Sequence, residues 1–159
     1  MNALLAAKTL ITITPSIDRY CEILEKTNTV RATHSYSSLL DTEVLCQKII
    51  DQTYRVNYLR RLRQSIDSLI NSMPEKYETV LKLYYCNKNT TLIIANHLRI
   101  SERTVFRLVN EATQYFADRL DKLSINTFTF KTLLEQNKWI QSEYEKIARD
   151  NENLIIQKN

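Results

Sequence analysis

The stretch NHLRISERTVFRLVNEA, Asn96 to Ala112, decides how the chain is read. Val105, Leu108, Val109 and Ala112 recur at i, i+3, i+4 and i+7, the stripe of a helix with one face on a core. Ser101 stands directly before that helix, where its hydroxyl can accept from a free backbone N–H of the first turn. Thr90 or Thr91 can cap a shorter helix ending at Leu98 in the same way. Glu102, Arg103, Phe106, Arg107 and Asn110 have no place in the stripe and share the opposite face.

Two helices joined by a short turn, the second presenting exposed arginines near its start, match the layout in which a recognition helix enters the major groove of DNA. Arginine suits that position twice over: its fork matches guanine O6 and N7, and it binds phosphate by charge-assisted hydrogen bonds. Phe106 could touch thymine methyls, and Asn110 could pair with adenine or phosphate. The candidate DNA-binding set is therefore Thr90, Thr91, Arg99, Ser101, Glu102, Arg103, Thr104, Phe106, Arg107 and Asn110. The competing reading makes the arginines a solvated face and packs Phe106 on a neighbouring segment.

Composition narrows the fold from the other side. The 159 residues include no glycine and only two prolines, Pro15 and Pro74. Tight hairpins and glycine-rich phosphate loops depend on the first of these residues, so the expectation is an all-α protein without a nucleotide site. Hydrophobic residues at 43% and charged residues at 25% are ordinary for a folded domain. The net charge of +4 is uneven. Residues 1–127 carry 17 Lys and Arg against 13 Asp and Glu, while 128–159 carry five of each.

Outward from the motif, MNALLAAKTLITIT reads as a helix packed on the body, since it lacks a basic leader and contains Lys8. IDRYCEILEK follows Pro15 as a second helix, and TNTVRATHSYSS, polar and β-branched, reads as a linker. From Asp41 to Met73 the apolar residues Leu45, Ile49, Val56, Leu59, Ile66, Ile70 and Met73 fall on one side of a long helix. Pro74 opens PEKYETVLKLYY, with Val80, Leu81, Tyr84 and Tyr85 on its inner side. The helix starting at Glu102 is predicted to reach about Leu123. The expected organisation is 1–40 for the first helices and linker, 41–73 for the long helix, 74–123 for the two-helix motif and its preceding helix, and 124–159 for the tail.

IIANHLRISERTVFRLVNEA resembles the helix-turn-helix of sigma factor region 4, with Ile94, Ala95, Leu98, Ile100, Ser101, Thr104 and Val105 at its pattern positions. MPEKYETVLKLYY resembles the helix before it, and the likeness covers roughly residues 70–123. Arg99 stands where that family has glycine, a turn position that favours positive φ. A small chain with this motif behind a long helix is similar to ArpU and RinA type late-gene activators of phages. That resemblance implies promoter binding on double-stranded DNA, contact with RNA polymerase, and a phage or prophage origin in the bacterial cytoplasm.

In the tail, Phe130, Leu133, Asn137, Ile140, Tyr144, Ile147, Asn151 and Leu154 alternate at spacings of three and four. This heptad pattern is expected to form either a homodimer seam, with Leu133, Asn137, Ile140, Tyr144, Ile147 and Asn151 as its contacts, or an amphipathic helix folded back on its own domain.

Cys21, Cys46 and Cys86 have no paired spacing, and His34 and His97 have no ligand arrangement around them. No metal, cofactor, catalytic set or membrane span is expected, and the chain is not read as an enzyme. Two other functions fit the same pattern: a phage small-terminase-like packaging subunit, and a sigma-like adaptor that binds protein rather than DNA.

Overall fold

The computed structural model describes residues 2–33 and 41–156, with 152–156 described by backbone alone. Among the described residues all regular structure is helical and there is no strand. The α-helices are α1 (Ala3–Ile13), α2 (Ile17–Thr33), α3 (Thr42–Asn71), α4 (Glu75–Leu81), α5 (Thr91–Leu98), α6 (Glu102–Ala117), α7 (Thr127–Gln136) and α8 (Lys138–Ile156). A π-helical turn, Lys82–Cys86, continues α4. Without glycine, the sharp turns fall on other residues: Lys88, Arg99 and Ser124 all take positive φ, a conformation that costs an L-residue about 1–2 kcal/mol.

Contacts divide the chain into two compact units, one of residues 1–14 with 66–159 and one of residues 15–65. In the first, α6 packs on α4, α5 and α1, and α1 also packs on α8. The core there is mostly aliphatic, with Leu10, Ile11, Ile66, Ile70, Leu81, Ile94, Leu133 and Ile140 and the aromatic Phe116 essentially inaccessible to water. As expected, the opening helix packs on the body: Ala6, Ala7 and Leu10 are fully buried.

The second unit is an antiparallel pair of α2 with the first part of α3. Polar links run along its length. Asp18 pairs with Arg63 at 2.7 Å, and Glu25 takes Arg60 in a two-pronged bridge at 2.7 and 2.8 Å. Gln52 donates to the Leu24 carbonyl at 2.7 Å and accepts from Arg31.

Three expectations are corrected. Thr27–Thr33, read as linker, continues α2. Each threonine hydroxyl turns back on the carbonyl four residues earlier: Thr27 to Ile23, Thr29 to Glu25 and Thr33 to Thr29. These bonds satisfy the hydroxyls inside a helix, and Asn28 ties the segment to α3 through the Ile49 carbonyl. The rest of the linker, residues 34–40, lies outside the described residues.

The helix from Glu102 ends at Ala117 rather than near Leu123, and a 3-10 turn, Leu120–Leu123, follows. The change of direction brings both Leu120 and Ile125 into the core. The tail, finally, is two helices rather than one heptad helix. Asn137 breaks it, with φ −132 and ψ 86, and its buried side chain donates to the Leu133 carbonyl at 2.9 Å, closing α7. Beyond this break α8 lies against α7 and α1.

Leu133, Asn137 and Ile140 are thereby buried in their own chain. Tyr144 sets its ring edge against Phe130, centroids 5.6 Å apart, and Asn151 accepts from Lys8 at 2.7 Å. Ile147 is partly covered. The side chain of Leu154 lies outside the described residues.

Candidate nucleic-acid interface

The candidate surface is built on the two capped helices α5 and α6. Thr90 accepts from the Ile93 N–H at 3.3 Å and Ser101 from the Thr104 N–H at 3.2 Å, so each helix begins on the hydroxyl expected of it. Between them Arg99 sits at φ 55, ψ 44, and the Ile100 N–H reaches the Ala95 carbonyl at 3.0 Å. This six-residue closure normally ends on glycine; here arginine carries it, and its side chain leaves the turn exposed.

Ile94, Ala95, Val105, Val109, Ala112 and Phe116 bury the inner faces of both helices. Leu108, expected in the same stripe, is only partly covered. The outer face of α6 holds Glu102, Arg103, Phe106, Arg107 and Asn110, all exposed, with Thr104 partly covered at its edge. The sequence-predicted residues of α6 are thus brought together on one surface. Arg103, Thr104, Arg107, Asn110 and Glu111 line a shallow open groove of about 630 Å³.

Three polar contacts tie this surface together, and sequence reading found none of them. Thr91 Oγ1 donates to Glu102 Oε2 at 2.7 Å, tying the start of α5 to the start of α6. Glu111 receives the Tyr77 hydroxyl from α4 at 3.4 Å and faces Arg107 Nε at 3.8 Å. Arg107 is thereby held at the groove by a carboxylate that α4 positions, while 68% of its side chain stays accessible. Among the described residues Arg103 has no carboxylate partner.

Phe106 is 52% exposed and does not belong to the core. Leu92 and Ile93, on the outer side of α5, are comparably open. They are apolar residues at capped helix starts whose neighbours Ile94 and Ala95 already fill the inner face. Ile93 reads from the sequence as a candidate apolar contact; a count of helical phase would have singled out Leu92 as well. The two helices therefore offer two arginines, an amide, two hydroxyl-bearing caps and exposed apolar side chains. Among the described residues no group of three or more His, Cys, Asp or Glu could hold a metal ion, and no helix is long and apolar enough to cross a membrane.

Residues 12–118 match a family model described as protein of unknown function (DUF722), a span that ends just past α6. No curated protein and no solved structure matches the chain.

Proposed function

We propose that this chain, which belongs to the DUF722 family, is a DNA-binding transcriptional regulator whose α6 is the recognition helix of a helix-turn-helix. The carrying observation is the pairing of Arg103 and Arg107 with Asn110 along one groove-lining face, on a helix whose other face is buried. Side chains at the first exposed positions of such a helix reach base edges, while caps and turn meet phosphate. In this reading Arg103 and Arg107 contact guanine or phosphate, Asn110 contacts adenine or phosphate, and Phe106 meets thymine methyls. Arg99, Thr90, Thr91, Ser101 and Thr104 face the backbone of the duplex, and Glu102 orients the start of the helix.

The likeness to sigma region 4 and to ArpU and RinA type activators supports a finer version: a phage or prophage protein that binds promoters and touches RNA polymerase. Capture of fragmented genomic DNA on the purified full chain tests the reading, with an Arg103→Ala/Arg107→Ala double variant in parallel. Retention of a few promoter-proximal fragments by the wild type alone is the expected result. Equal retention by both proteins contradicts it.

One observation favours a second reading. Leu92 and Ile93 on α5 and Phe106 on α6 are exposed apolar side chains, and such side chains are also used for protein contact. An adaptor of that kind would lose its partner on Ile93→Ser and Phe106→Ser and be indifferent to loss of the arginines.

A further inference from the structure

The helix α3 is apolar on two sides. Its inner side, Leu45, Val56, Leu59 and Leu62, is buried. On the other side Ile50, Tyr54 and Tyr58 follow at intervals of four, and all three are exposed, Tyr54 by 72%. Side chains four apart lie one above the other on a helix, so these three form a continuous stripe. A stripe centred on a tyrosine that open is more than the scattered single apolar residues normal on a surface.

The charges along α3 are segregated. Glu43, Lys48 and Asp51 stand toward its start, just after Asp41, whereas Arg55, Arg60, Arg61 and Arg63 follow with no acid before Asp67. Arg60 and Arg63 are engaged by Glu25 and Asp18 of α2. Arg55 and Arg61 have no carboxylate partner among the described residues. At about 100° per residue, Asp51 and Arg55 fall at one margin of the stripe, whereas Glu43 and Arg61 lie in line with it, beyond its two ends.

We infer that the exposed stripe of α3 is a homodimer interface, its occupant the α3 of a second copy in antiparallel register. A two-fold axis across the helix near residue 53 sets Tyr54 close to its own counterpart and Gln47 beside the second copy's Tyr58. The same operation keeps the Asp51/Arg55 margin facing itself. Asp51 then meets Arg55 of the other copy, and Glu43 meets its Arg61. Both pairs match in sign at one register, whereas a parallel arrangement would set Glu43 beside its own counterpart and Arg61 beside its own. Isologous pairing of this kind is the commonest way two identical chains associate. The inference is independent of DNA binding.

Sedimentation equilibrium of the full chain over a range of concentrations tests it, with helix content followed by circular dichroism. The wild type is expected to dimerise. Tyr54→Lys, at a position with almost no role in the fold, weakens the dimer by more than about tenfold, as does either Asp51→Arg or Arg55→Asp. The double variant Asp51→Arg/Arg55→Asp restores association. A wild type that remains monomeric at every concentration overturns the inference, including one whose stripe proves to hold a different protein. So does a dimer indifferent to Tyr54→Lys and to both charge reversals.

Discussion

Thr91 Oγ1 donates to Glu102 Oε2 at 2.7 Å, so the first residue of α5 and the first residue of α6 are joined across the turn that separates the two helices. The carboxylate also sits at the positive end of α6, where negative charge is favoured. One residue therefore fixes the angle of the turn and supports the helix start.

Glu102→Gln keeps an acceptor for Thr91 but removes the charge. Its expected cost is about 0.3–1 kcal/mol, the value of a carboxylate in a first helical turn, read as a lower urea midpoint that narrows toward the wild type in high salt. A variant as stable as the wild type at low salt would show that the carboxylate contributes nothing beyond geometry.

Arg99 tests the turn itself. Arg99→Gly relieves the positive φ, and against the extra freedom glycine gains in the unfolded chain a net stabilisation of about 0.5 kcal/mol is expected in urea denaturation. If the guanidinium meets phosphate, the same variant binds all duplexes more weakly and its salt dependence falls by about one phosphate contact. Higher stability combined with weaker binding would place a functional role on a residue the fold alone disfavours.

For Phe106→Ala the two readings of the interface diverge. The side chain is half exposed, so the expected stability change is within about 0.5 kcal/mol. DNA affinity should fall, most strongly for sites rich in thymine at the contacted position. A stability loss above about 2 kcal/mol would instead make Phe106 a packing residue.

The three cysteines should react in a fixed order. Cys46 is exposed, Cys86 partly covered and Cys21 buried. Burial, reinforced by Asp67 and partly offset by Lys82, pushes the Cys86 thiol above its ordinary range. Burial does the same for Cys21. Since the thiolate is the reacting form, iodoacetamide should label Cys46 first, Cys86 slowly and at more alkaline pH, and Cys21 only on unfolding. Mass spectrometry of timed samples gives the order directly, and early labelling of Cys21 would contradict the packing of α2 on α3.

Much of this was legible in the sequence for a simple reason. Ser101, Thr90 and the stripe Val105, Val109, Ala112 are local signals, in which cap and period refer only to nearby residues, and the structure places them as expected. The tail shows the opposite case. Its heptad spacing is real, but Asn137 satisfies the end of α7 with its own side chain and lets α8 turn back, a choice made by contacts with α1 that no local pattern contains. Thr27–Thr33 misled for a related reason, because their β-branching argues against a helix until Asn28 and Arg31 find α3. Glu111 was invisible as a positioning group since its partner Tyr77 lies 34 residues away.

The central claim, that α6 reads double-stranded DNA, is tested most directly by fluorescence anisotropy with a captured duplex and a scrambled one, titrated at several salt concentrations. Compared are the wild type, Arg103→Ala and Arg107→Ala. The account predicts tight, salt-dependent binding by the wild type. It predicts that at least one arginine, on removal, costs about 1–3 kcal/mol on the captured duplex and little on the scrambled one. Binding by both variants with wild-type affinity and unchanged salt slope would contradict it.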